Sequence, residues 1–503
     1  MLLGTGAWDT AAAFAQPVGT NPFTLGVASG DPSQDGVVLW TRLATDPFAV
    51  DGRGGMPATP VRVEYEVARD ERFRSVVRRG SAVATPELGH SVHPEIRGLA
   101  PDHVYYYRFR AAGELSPVGR TRTMPPRCSN PRELNFAFAS CQAWQDGYFT
   151  AYDHIAAEDL DFVVHLGDYL YEYGVGTNKR GVTVDPRFHT ETFDLARYRL
   201  QYSLYKIEAP LRNAHATHPF ITTFDDHEVE NNWADDIPEN NQDPVAFRQR
   251  RIDAFQAMYE NLPLRRVQML SGPDIHLHRR LSYGRLADLT MLDTRQFRDD
   301  QPCGDGAGTT CTDRFDPNRT ILGAKQRKWL LDGFSRSQAR WQILGNQAPM
   351  GQTDRDPGPA VDVFYDPWDG YATERDRVLA EAQDRGVRNL VVITGDRHQN
   401  YAWDLKRDFN DPTSATVGAE FVGTSVTSGA DGFDMTPEGE RFLAANPHMK
   451  FFNQQRGYVL VNVNRERWQS DFRVMPFVTR PGAPVSTRAS FVVEDRVPGV
   501  QGV

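Results

Sequence analysis

Four short segments carry side chains that could do chemistry together: Ser140-Cys141-Gln142, Gly167-Asp168-Tyr169-Leu170-Tyr171, Asp225-Asp226-His227-Glu228 and Gly395-Asp396-Arg397-His398. A lone Gly-Asp is ordinarily a turn, and a lone His near a strand end is ordinarily hydrogen-bonded structure. Here all four groups follow short apolar runs, at 136–139, 162–166, 220–224 and 390–394. In an open α/β sheet, ligands gather beyond the carboxyl ends of the strands, so four such groups in one region point to a metal centre. A thiolate, a phenolate and an imidazole suit a trivalent or borderline transition ion, whereas clustered carboxylates suit a hard cation such as Ca²⁺, Mn²⁺ or Mg²⁺. Two such ions about 3.5–4 Å apart would clamp a phosphoryl group and supply hydroxide near neutral pH.

The elements that must hold these groups follow from periodicity. From residue 134 onward short apolar strands alternate with helix candidates at 148–158, 247–259 and 325–334, which is α/β organisation. Residues 20–126 differ: alternating runs such as Val61-Arg62-Val63-Glu64-Tyr65-Glu66-Val67 are separated by turn signals such as Gly30-Asp31-Pro32. That pattern predicts an N-terminal all-β domain of immunoglobulin or fibronectin-like sandwich type. The expected organisation is thus a sandwich over 20–126 and an α/β catalytic domain over 130–503.

The set SCQ, GDYLY, DDHE and GDRH resembles the PhoD family of secreted alkaline phosphatases and phosphodiesterases, within the calcineurin-like and purple-acid-phosphatase-like metallophosphoesterases. The resemblance extends to 23–32 and 38–42 in the β domain, to Leu292-Asp293-Thr294-Arg295-Gln296 and to Gly345-Asn346-Gln347. It implies an α/β layered sandwich with an Fe³⁺ and Ca²⁺ centre, Mn²⁺ or Zn²⁺ being the alternatives at the second position. On that resemblance Cys141, Tyr171 and His398 are iron ligands, and Asp168 bridges the ions. Asp226 and Asp396 stand where relatives carry Asn and His, so they bring hard oxygen donors to the second ion, with Asp225 beside them. His227 is the expected substrate contact and leaving-group acid. Asn231, Asn232, Asn346 and Arg397 are further ligand or phosphate-contact candidates.

Bland readings stand beside these. Cys141 is either a ligand, a buried small hydrophobe, or half of a disulfide with Cys128. Tyr171 is either a ligand or one of a run of aromatics with Tyr169 and Tyr173. Arg397 is as well suited to a salt bridge as to phosphate, and Asp293 and Arg295 could pair only with each other. His165, on the strand before Asp168, reads as a support behind the ligands or as core, and His215 and His218 as loop residues.

The implied reaction is hydrolysis of phosphate monoesters or diesters by hydroxide generated at the metal centre, with no phosphoenzyme. The alternative is phospholipase D action on choline-type lipids at the same centre, in which Tyr365, Trp368 and Tyr371 of the loop 351–372 either touch the lipid or its head group or are surface or core aromatics. A cell-surface polymer-binding protein is the alternative from another class. The net charge of −10 over 503 residues argues against a general nucleic-acid binder. No run reaches the roughly 18 apolar residues of a spanning helix, so membrane contact would be transient and at the surface. Residues 1–15 end in Ala13-Phe14-Ala15, which is how an export signal ends. A local Cys303–Cys311 disulfide is expected with export. Thus a secreted or periplasmic hydrolase is expected.

Overall fold

The computed structural model describes residues 21–240, 242–411 and 413–503; the expected leader at 1–15 lies outside them. Two sheets stack face to face. In the first, the order is Val497–Gly502, Ser486–Glu494, Arg467–Met475, Arg456–Asn464, Glu133–Ala139, Phe162–His165, Pro219–Thr222, Val27–Ser33, Gly36–Arg42 and Ser91–Val92. In the second it is Arg279–Tyr283, Ala287–Met291, Trp341–Asn346, Leu390–Thr394, Thr416–Val422, Asn400–Lys406 and Met449–Asn453.

Period-two alternation builds the layers. Phe136 and Phe138 point between the sheets, where they meet Leu166, Met291, Ile343, Ile393 and Phe421. Their neighbours Ala137 and Ala139 point the other way, into a core shared with the helices Thr150–Ala157, Leu195–Lys206, Ala209–Thr217 and Pro244–Asn261. The outer face of the second sheet is covered in the same manner by Gly323–Arg336, Ala372–Asp384 and Pro437–Ala445. The expected helices are therefore present, each within a few residues of its anticipated ends. The longest begins where the Asp243 carboxylate accepts from the Val245 and Ala246 N–H groups, with Pro244 opening the first turn, a strong start signal.

The N-terminal region is all β, as its alternation indicates. A smaller sheet of Val76–Ala84, Val61–Ala68 and Val104–Ala111, with Glu114–Leu115 and Gly119–Arg122 on the last, packs on Val27–Ser33 and Gly36–Arg42 through one apolar core. Those two strands are also part of the large sheet, because Val27–Ser33 pairs in parallel with Pro219–Thr222. Backbone hydrogen bonding therefore runs from one region into the other. A Cβ at Gly30 would lie 2.4 Å from the Pro263 carbonyl and 2.8 Å from that of Phe220, so only glycine permits this seam.

The parallel strands of both sheets end on the same side, and an isolated bridge between Ser140 and Ser425 draws the sheets together there. All four chemistry-bearing segments emerge at this edge.

Candidate metal centre

The carboxylate of Glu228 organises the strand ends. It accepts from the backbone N–H groups of Asp168 at 3.1 Å, Tyr169 at 2.6 Å and Asp225 at 2.8 Å, tying two loops to one side chain. Gly167 lets them approach: its φ is +110°, and a Cβ there would sit 2.5 Å from the Asp225 backbone nitrogen and Cβ. Cys141, Asp168, Asp396 and His398 all hold left-handed φ values between 54° and 67°. Such a backbone is uncommon outside glycine, and its strain concentrates where function over-determines the local fold.

These loops bring the donors together. One donor atom from each of Cys141, Asp168 and His398 lies within 4.8 Å of the others, and the same holds for Asp168, Asp226 and His227. Asp168 is common to both groups. The Tyr171 hydroxyl joins the first, donating to Asp168 Oδ2 at 3.0 Å and lying 3.0 Å from His398 Nε2. Ser428 Oγ stands 2.8 Å from that hydroxyl and 2.8 Å from the Cys141 carbonyl. Cys141 is a buried free thiol and Cys128 an exposed one, so the alternative disulfide between them is absent.

On the second side, Arg295 donates to Asp225 Oδ1 at 2.6 Å and to Asp366 Oδ1 at 2.9 Å, with Asp226 Oδ1 at 3.9 Å. Asp226 Oδ2 accepts from the Asn232 N–H at 2.8 Å, and the Asn232 side chain is turned to Asp305 at 2.6 Å. His227 gives Nδ1 to Glu172 at 2.8 Å, leaving Nε2 as its free ring nitrogen, and its ring lies 4.1 Å from that of Tyr171. Arg397 lies over the Phe364 ring at 4.4 Å. Asn346 is spent on the Ala348 carbonyl and the Trp368 indole.

Three carboxylate oxygens, Asp168 Oδ1, Asp225 Oδ2 and Asp226 Oδ1, are buried without a hydrogen-bond partner. Orphaned buried acceptors are costly. Burial, then the Asp168 charge, pushes the Cys141 thiol and the Tyr171 phenol well above their ordinary ranges. Burial, then Asp226, does the same to Asp168, and burial, then Asp225, to Asp396. Burial holds His398 down at about 3. Burial alone would push His227 down, but the Glu172, Asp226 and Asp168 carboxylates outweigh it and hold it well above the ordinary imidazole range. So many acids in one dry place, with open lone pairs, are suited to multivalent cations, which favour the deprotonated forms.

The sequence signature of the PhoD-like phosphatase matches residues 136–472, and that of the PhoD-like phosphatase N-terminal domain matches residues 9–125. This chain belongs to the PhoD-like phosphatase family. It is 48% identical over 484 residues to alkaline phosphatase D of Bacillus subtilis strain 168, covering 96% of this chain and 82% of the relative. A solved structure of PhoD superposes with a TM-score of 0.93 at 47% identity, over 98% of this chain and 93% of that one. Membership in this phosphatase family makes the chain a hydrolase with a phosphate ester as its substrate.

Around this PhoD-like centre several residues depart from their sequence readings. Arg295 does not pair with the Asp293 side chain through its guanidinium; Asp293 instead accepts from the Arg295 and Gln296 backbone N–H groups. His215 lies in the helix Ala209–Thr217, buried and 2.8 Å from the Tyr169 hydroxyl, and is no loop residue. His218, which caps that helix, is buried too and faces the Ile155 carbonyl. Tyr365, Trp368 and Tyr371 are buried, so they present no surface to a lipid. Glu172 and Glu228 carried no assignment. Glu172 directly follows the GDYLY run, and that adjacency was the available signal. The expected disulfide joins Cys303 and Cys311, in the loop that carries Asp305 to Asn232. No helix among the described residues is long and apolar enough to cross a membrane.

Proposed function

We propose that this chain hydrolyses phosphate monoesters, with diesters as a further substrate class, at a centre of two unlike ions. Cys141, Asp168, Tyr171 and His398 would hold Fe³⁺; Asp168, Asp225, Asp226 and Asp396 would hold Ca²⁺. The observation that supports this best is the convergence of donors from four strand ends around buried carboxylate oxygens with no other partner. The bound ions would supply charge for the phosphate oxygens and an activated water.

The chain's own residues do the rest. Asp168 joins the two halves of the centre and fixes their spacing. Arg295 fixes Asp225 and stands 3.9 Å from Asp226, so one guanidinium steadies both carboxylates. Glu172 accepts the hydrogen bond of His227 Nδ1–H and fixes the ring, which leaves Nε2–H to protonate a departing alkoxide. Arg397 follows Asp396 on the same loop and would contact a phosphate oxygen. Asn232 holds Asp226 by its backbone and would contact substrate at the rim.

Initial rates on p-nitrophenyl phosphate, its diester and phosphatidylcholine, with metal content by mass spectrometry, test this. Ester turnover with about one iron per chain is expected, and loss of both in Asp168→Asn and His398→Ala. Variants that keep full activity would overturn the site assignment. Faster turnover of phosphatidylcholine than of either ester would replace the reading by phospholipase D. The domain limits 20–126 and 130–503 and an exported location belong to the same proposal. The Cys303–Cys311 bond suits an oxidising compartment, and recovery of the chain outside the cytosol would support it.

A further inference from the structure

At the amino ends of the second sheet's strands lies a concave pocket that the phosphoesterase reading does not use. It encloses about 240 Å³ and is lined chiefly by Asn130, Pro131, Arg285, Arg340, Arg388 and Arg465. Arg340 lies one residue before, and Arg388 two residues before, the region's central strands Trp341–Asn346 and Leu390–Thr394, whose other ends lead to the metal-centre loops. Five or six residues at roughly 3.3 Å each place the two sites on the order of 20 Å apart.

The charges in this pocket do not balance. One carboxylate, Asp495, serves two of the four arginines: it accepts from Arg340 Nη1 at 2.8 Å, and from Arg388 Nε at 3.1 Å and Nη2 at 2.7 Å. Asn389 donates to Asp495 at 2.6 Å and to the Arg340 carbonyl at 3.1 Å, so these two guanidiniums are held in place before any ligand arrives. Arg465 reaches only the Asn130 carbonyl, at 3.3 Å. The Arg285 side chain has no hydrogen-bond or ion-pair partner among the described residues. Four positive groups against one negative is a local excess in a chain whose net charge is −10.

We propose that this pocket is a second anion site that takes a small, multiply charged phosphate-class oxyanion. Planar guanidinium forks match tetrahedral oxyanions bidentately. Arg340 and Arg388 keep donors free on the edges that Asp495 does not occupy, and Arg285 and Arg465 close on the ligand from the rim. Pre-held donors cut the ordering cost of binding. The site is independent of the phosphoesterase reading, since it shares no residue with the metal centre.

The test titrates the purified holoenzyme with inorganic phosphate by calorimetry at 0.15 M ionic strength, where exposed charges are screened beyond roughly 8 Å. Two classes of site are expected. Arg285→Ala with Arg465→Ala should weaken one class at least about tenfold and leave the other in place. A tungstate soak of unmodified crystals, read by anomalous scattering, locates the same site without any substitution. Tungstate between Arg285, Arg340, Arg388 and Arg465 supports the proposal. Tungstate at the metal centre alone, or a double variant that keeps both classes at unchanged affinity, overturns it.

Discussion

The two ends of the same strands are built on opposite terms. At the carboxyl ends Cys141, Asp168, Tyr171, Asp225, Asp226 and His227 are buried and Asp396 and His398 half-buried, the backbone is left-handed at four non-glycine positions, and three carboxylate oxygens lack partners. At the amino ends the charged groups are arginines exposed or half-exposed to water, and the single carboxylate is fully engaged. The first arrangement is unfavourable until cations arrive; the second is tolerable empty, because solvent screens it. A site that must activate water has to exclude bulk solvent and hold its donors rigid, and the fold accepts strain for that. A site that only binds needs neither.

The comparison breaks most sharply at Asp168, the residue common to both donor groups. Asp168→Asn and His398→Ala should each lower kcat/KM on p-nitrophenyl phosphate by about 10³-fold or more, the scale of removing a main stabiliser of transition-state charge. Stripped of metal by chelator, Asp168→Asn should melt no lower than the unsubstituted chain, because it removes a buried charge with one unpartnered oxygen and leaves an amide oxygen to accept from Tyr171. A variant that lost activity and melted well below the stripped parent would show that Asp168 is structural, and the contrast between the two ends would fail.

Glu172 should give the next largest effect. Glu172→Gln keeps the shape of the contact to His227 and removes the charge that holds the imidazole protonated. We expect kcat on alkyl phosphates to fall about ten- to a hundredfold, with a much smaller loss on p-nitrophenyl phosphate, whose leaving group needs little protonation, and with metal content unchanged. Equal losses on both substrates would remove His227 from the acid role.

How much of this was visible in the chain depended on distance along it. The donors lie within a few residues of strand ends, so the SCQ, GDYLY, DDHE and GDRH runs exposed them directly, as did the disulfide spanning eight residues. What was hidden acts across long separations. Arg295 finds Asp225 seventy positions away, while its sequence neighbour Asp293 suggested a false partner. The seam between Ser29 and Pro219 joins regions whose compositions look unrelated, because strand pairing leaves no local trace. Tyr365, Trp368 and Tyr371 stayed open between lipid contact and core since aromatic type does not report burial; Trp368 and Tyr371 join the core beneath the second sheet's helices, and Tyr365 packs with Cys311 and Val363. The arginine pocket was invisible for the same reason: its members come from five separate turns.

The smallest effects should come at the amino ends. Arg285→Ala should change stability by no more than about 0.5 kcal/mol, as expected for an exposed side chain without partners, and should leave metal content as it is. Asp495→Asn is the more telling change there. It removes the pocket's one negative charge and frees donors on Arg340 and Arg388, so phosphate affinity at the remote site should rise several-fold while the pair contacts it breaks cost about 1 kcal/mol. Both effects should shrink together as salt is raised, since both are Coulombic and near the surface. If Asp495→Asn weakened phosphate binding instead, the carboxylate's part would be to hold the two guanidiniums in register, and the pocket would share with the metal centre the rule that geometry outranks net charge.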